Sequence, residues 1–119
     1  METKFAELFA GDNSKYIEVT YNGGLDERGK RKANYNTVHE PLTPELWKKH
    51  LEGACVLGLR PERGDECKWG CIDIDPKDYK EFNQKKIVDI IKNTKLPLVA
   101  CRSKSGGLHL FLFLKDWTP

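Results

Sequence analysis

The stretch Trp69-Gly70-Cys71-Ile72-Asp73-Ile74-Asp75 constrains this chain more than any other. It is a short apolar run that ends in two acids and is stopped by Pro76. On a strand, side chains alternate between the two faces. Asp73 and Asp75 are therefore expected on one face, with α-carbons about 7 Å apart. Ile72 and Ile74 are expected on the other, against a core. Two adjacent carboxylates repel, and a divalent cation is the usual remedy. Hard oxygen ligands suit magnesium or manganese. Two exposed acids at a strand end are the plainer alternative.

The 119 residues suffice for one domain, 1–119, with a real core. Charged residues make up 32% and hydrophobic ones 39%, as expected of a soluble globular protein. The net charge of +2 neither demands nor excludes nucleic acid, so a polyanion must be met by local clusters. Two exist, Arg28-Gly29-Lys30-Arg31-Lys32 and Arg102-Ser103-Lys104. No apolar run approaches the roughly 20 residues that span a bilayer, and no secretory pattern opens the chain. The expectation is a cytoplasmic protein with no membrane partner. Cys55, Cys67, Cys71 and Cys101 form no Cys-x-x-Cys pair and are read as reduced, small core residues.

Phe5 to Ala10 reads as one or two helical turns, and Tyr16 to Tyr21, rich in β-branched and aromatic residues, as a strand. A polar, basic loop is expected to about Asn36. Thr43-Pro44 starts a helix, with Leu46, Trp47, His50 and Leu51 on one face and Gly53 at its end. Ala54 to Leu59 reads as a strand buried on both faces. After the acidic strand, a helix is expected from Asp78 to Asn93, with Phe82, Ile87, Ile90 and Ile91 inward. Strands at Leu96–Cys101 and Leu108–Leu114 flank the turn Ser103-Lys104-Ser105-Gly106-Gly107. In the last strand the leucines occupy one side, and His109, Phe111 and Phe113 the other. The order β-α-β-β-α-β-β predicts an α+β fold, a mostly antiparallel sheet backed by helices.

The Ser103–Gly107 turn sets two hydroxyls and flexible backbone beside the cations Arg102 and Lys104. Glycines let backbone amides converge on an anion, and His109 follows as a donor for phosphate oxygen. A simple hairpin turn with a core histidine is the alternative.

Taken together, these motifs resemble the N-terminal part of the archaeo-eukaryotic primase (primase–polymerase) catalytic core. Cys71-Ile72-Asp73-Ile74-Asp75 matches that superfamily's apolar strand ending Asp-x-Asp. Gly107-Leu108-His109 matches its small residue, any residue, then His. His50-Leu51-Glu52-Gly53 and Leu57-Gly58-Leu59-Arg60-Pro61 resemble, more particularly, the primase modules of mobile-element and conflict-system proteins. The resemblance runs from about Leu8 to Phe113. It implies metal-dependent nucleotidyl transfer in replication: primer synthesis or extension from nucleoside triphosphates on a DNA or RNA template, with a helicase as a candidate partner. By match, Asp73 and Asp75 would hold magnesium or manganese. Arg102, Ser103, Lys104, Ser105, Gly106 and His109 would hold the nucleotide. The superfamily's third acid, on a later strand, has no counterpart, because Asp116 lies too close to the His strand. The expectation is thus a partial catalytic module, or alternatively a silent nucleotide- or nucleic-acid-binding domain. A haloacid-dehalogenase-type phosphatase fits the Asp-x-Asp less well, since Pro76-Lys77 replaces small residues. A rolling-circle nuclease lacks paired histidines.

Overall fold

The computed structural model describes residues 1–119, an α+β protein with two small antiparallel sheets. The chain divides into two compact units, residues 1–68 with 117–119, and residues 69–116. No helix is long and apolar enough to cross a membrane.

In the first unit, helix α1 (Glu2–Leu8) starts three residues earlier than the sequence predicts. Phe5 and Phe9 stack on each other with centroids 5.9 Å apart, and both pack on Trp47 at 6.4 and 6.3 Å. Trp47 is the buried anchor of helix α2 (Pro44–Leu51). That helix begins as its sequence demands. The Thr43 hydroxyl accepts the Leu46 N–H at 3.3 Å, and Pro44 takes the first turn, where a missing N–H costs nothing.

Strand β1 (Tyr16–Leu25) pairs antiparallel with strand β2 (Arg31–Val38). The basic loop expected to Asn36 is therefore a β-ribbon. Polarity misleads here because β2 is largely exposed: pairing with β1, not an apolar face of its own, holds it in the ribbon. Its tip is built by Asp26, whose Oδ1 accepts the N–H groups of Arg28 and Lys30 at 2.8 and 2.9 Å. Gly29 supplies the positive φ of 75°. Strand β3 (Val56–Gly58) pairs with the other edge of β1, giving the order β2-β1-β3. It is a three-residue, half-buried edge strand, shorter than the doubly buried run expected over 54–59.

The second unit holds the sheet β4-β6-β5. Strand β4 is Cys67–Ile74, β5 is Val99–Arg102 and β6 is Leu108–Thr118. Helix α3 (Gln84–Asn93) begins six residues later than predicted. A 3₁₀ turn, Pro76–Asp78, follows β4, and the Asn83 side chain caps α3 by accepting the Lys86 N–H at 3.0 Å. The short polar caps Asp75 and Asn83 bond local amides and so set both boundaries. Ile91 buries against Leu108 and Leu110, with Ile74, Phe82, Ile87, Val88, Leu98 and Ala100 around them. Each fully buried aliphatic side chain contributes about 1.5–3 kcal/mol.

Three expectations about this core fail. Ile72 is 56% exposed and Ile90 is also exposed, so neither packs inward. The helix is short, and its stripe of Ile87, Val88 and Ile91 suffices to cover the sheet. Cys71 and Cys101 are exposed rather than core residues, and all four thiols are free.

Candidate functional site

The site is assembled on the face of the β4-β6-β5 sheet opposite α3. Leu108 and Leu110 turn toward the helix core, so alternation sends His109 and Phe111 to the other side. On β4, Ile74 joins the core and Asp73 takes the opposite face. The two meet: His109 Nε2 lies 3.5 Å from Asp73 Oδ1. Both remain open to solvent, Asp73 at 69% and His109 at 42%. Phe111 borders the pair, its ring edge-on to His109 at 6.1 Å and tilted against Trp69 at 6.3 Å. Cys101 is the cross-strand partner of His109 on β5. Desolvation pushes the Cys71 thiol up from its ordinary value, and the Asp73 carboxylate adds to the rise.

Asp75 sits just past the end of β4, as the cap of the 3₁₀ turn. Its Oδ1 accepts the Lys77 N–H at 3.2 Å, and its Oδ2 faces the Lys77 ammonium at 3.6 Å. The sequence reading did not single out this lysine as Asp75's partner, although Lys77 stands two residues from Asp75, the offset of a local side-chain-to-backbone turn.

The Ser103–Gly107 turn closes on itself. Ser103 N–H donates to Gly107 O at 3.0 Å and Gly106 N–H to Ser103 O at 3.2 Å. Those two amides therefore serve the turn, not the anion nest expected of it. Gly106 is required for its φ of 84°. The hydroxyls of Ser103 and Ser105 lie 3.2 Å apart. Gly107 is needed for space instead, since a Cβ there would collide with the Ile74 carbonyl oxygen. Only glycine lets the start of β6 press against the end of β4, and that approach brings His109 to Asp73. Gln84, unnoticed in the sequence, braces the turn by donating Nε2–H bonds to the Gly106 and Gly107 carbonyls. Its position at the first residue of α3, after the capping Asn83, was the available signal.

Arg102 is not brought to this face. It pairs with Leu108, as Cys101 pairs with His109, and so shares the helix side of the sheet. There it lines a groove with Gln84, Val88, Asp89 and Lys92.

A family model for the archaeo-eukaryotic primase domain of the TOTE conflict system matches residues 4–119. The chain belongs to that family. A comparison with curated proteins finds no match. Membership in the primase family brings with it nucleotide and nucleic-acid binding in general, and the superfamily is generally metal-dependent. The donor set here fits a hard cation in kind: Asp73 and Asp75 offer carboxylate oxygens at one strand end. No group of three His, Cys, Asp or Glu side chains converges on a point. Two carboxylates match the usual magnesium arrangement, in which water and substrate phosphates complete the shell.

Proposed function

We propose that this primase-family domain binds a nucleoside triphosphate at the Asp73–His109 face and supports nucleotidyl transfer to a primer 3′-hydroxyl on a nucleic-acid template. In that reaction a bond forms between the 3′-oxygen and the α-phosphorus, and pyrophosphate leaves. The observation that carries the reading is the 3.5 Å approach of His109 Nε2 to Asp73 Oδ1, both solvent-accessible, on neighbouring strands. Asp73 orients the imidazole, which donates to an outer phosphate oxygen. Ser103 and Ser105 present hydroxyls to the same chain of phosphates, and Lys104 adds a positive charge. Asp73 and Asp75 would hold magnesium or manganese, whose charge offsets that of the phosphates and favours pyrophosphate departure. Lys77 is exposed and carried on a flexible stem, so it can leave Asp75 when a cation arrives.

The experiment is calorimetry of a nucleoside triphosphate with manganese. Asp73→Asn and Asp75→Asn are each expected to lower affinity at least tenfold while circular dichroism stays unchanged. Unchanged affinity in both variants overturns the site. The Lys77–Asp75 pair favours a second reading, a nucleotide-binding module in which lysine stands permanently in place of a cation. Triphosphate binding that is indifferent to manganese, without templated incorporation, selects it.

A further inference from the structure

The β1–β2 ribbon carries a surface that the nucleotide site does not use. Tyr21 pairs with Ala33 and Val19 with Tyr35, and directly opposed residues share a face. Tyr21 and Tyr35 are thus diagonal neighbours on one side of the ribbon. Tyr35 is 71% exposed. The Arg31 guanidinium lies 4.3 Å above the centre of the Tyr21 ring and presents its own flat outer face. Leu25 is exposed beside them, and an open groove at the tip is lined by Leu25, Asp26, Glu27, Arg28 and Lys32.

The charges around these flat groups are uneven. At the tip and on this face the cations are Arg28, Lys30 and Arg31 and the acids Asp26 and Glu27, while Lys32 alternates to the other side of the ribbon. Asp26 turns one oxygen inward to the amides of the turn. Glu18 projects from the opposite face, since it pairs with Asn36. Exposed aromatic and guanidinium planes flanked by cations are what single-stranded nucleic acid requires: the planes stack bases and the cations follow the phosphates. An apolar protein partner fits poorly, because Tyr35 and Leu25 stand apart among polar residues rather than in a continuous patch. The capped tip holds these groups in place before a ligand arrives, which lowers the cost of ordering them.

We propose that this ribbon face is a single-strand platform, with one base stacked on Tyr35, a neighbouring base on the Arg31 plane, and phosphates along Arg28 and Lys30 at its tip. It rests on the reading of the domain as a template-using one and names where the unpaired template runs.

The test is fluorescence anisotropy of the full chain with a labelled single-stranded oligonucleotide and with an abasic strand of equal length. Manganese–triphosphate calorimetry runs in parallel. Tyr35→Ala is expected to weaken the oligonucleotide about tenfold and Tyr35→Trp to preserve it. Both variants should bind the abasic strand like the parent and keep triphosphate affinity. Tyr35 is exposed, so its removal leaves the fold intact. Wild-type oligonucleotide affinity in Tyr35→Ala overturns the platform, as does equal weakening on the abasic strand. Self-association that Tyr35→Ala abolishes also overturns it, by making the face a contact between copies. Failure of triphosphate binding in the parent strikes the proposed nucleotide site instead, and the oligonucleotide arm still reports on the ribbon.

Discussion

His109 and Gly107 divide the work of the Gly-x-His motif between chemistry and geometry. The imidazole is the candidate phosphate donor, and glycine is what lets it arrive. If His109 touches the outer phosphates, His109→Ala weakens a triphosphate by roughly tenfold or more and a monophosphate much less. Titration calorimetry with the two nucleotides measures the difference, and equal losses would move the histidine toward sugar or base. Gly107→Ala drives a methyl group into the Ile74 carbonyl, a backbone atom that cannot swing aside. The expected cost is about 1–3 kcal/mol, read as a lower denaturant midpoint. Gly70→Ala on β4 is the control: its Cβ would meet nothing within 4 Å, and its midpoint should barely move. Equal midpoints for the two variants would remove the close-approach argument.

The ribbon is where polarity and structure diverge most. Arg31–Val38 lacks an apolar face, so it reads as loop, yet it pairs with β1 from Tyr16↔Val38 to Leu25↔Arg31. The local sign of a turn was present in Asp26 and Gly29, but the strands on either side are specified by their partner. Asp26 makes this element pH-sensitive. The Lys30 N–H, then that of Arg28, bonds its carboxylate and holds it below the ordinary carboxylate value. A depressed folded-state pKa means the turn gains stability above the unfolded value, about 4, and loses it as pH falls through the lower folded one. Amide exchange at Arg28 and Lys30 should therefore be flat from pH 7 to about 4.5 after correction for intrinsic rates, and accelerate below about 4. Asp26→Asn, which keeps an acceptor without the charge, should remove that acid step. Acid-induced opening that persists in Asp26→Asn would assign the transition to another group.

Across the whole chain, the local chemistry was legible from the residues alone. Thr43-Pro44 declared α2, alternation placed His109 and the leucines on opposite sides of β6, and Trp69–Ile74 read correctly as strand, with Asp75 falling just beyond its end. The α+β class followed from the same patterns. Capping, turn residues and period-two alternation are properties of neighbouring residues, so they can be read without the fold. The tertiary structure decided the division into a β2-β1-β3 sheet and a β4-β6-β5 sheet. It also decided the exposure of Ile72 and Ile90, the withdrawal of Arg102 to the helix side, the pairing of Asp75 with Lys77 and the Gln84 brace. Those outcomes depend on which surfaces find partners. A short helix covers only part of a sheet, and a strand's second face is assigned by whatever packs there. The meeting of Asp73 with His109, 36 residues apart along the chain, waited on Gly107 and the backbone it lets through.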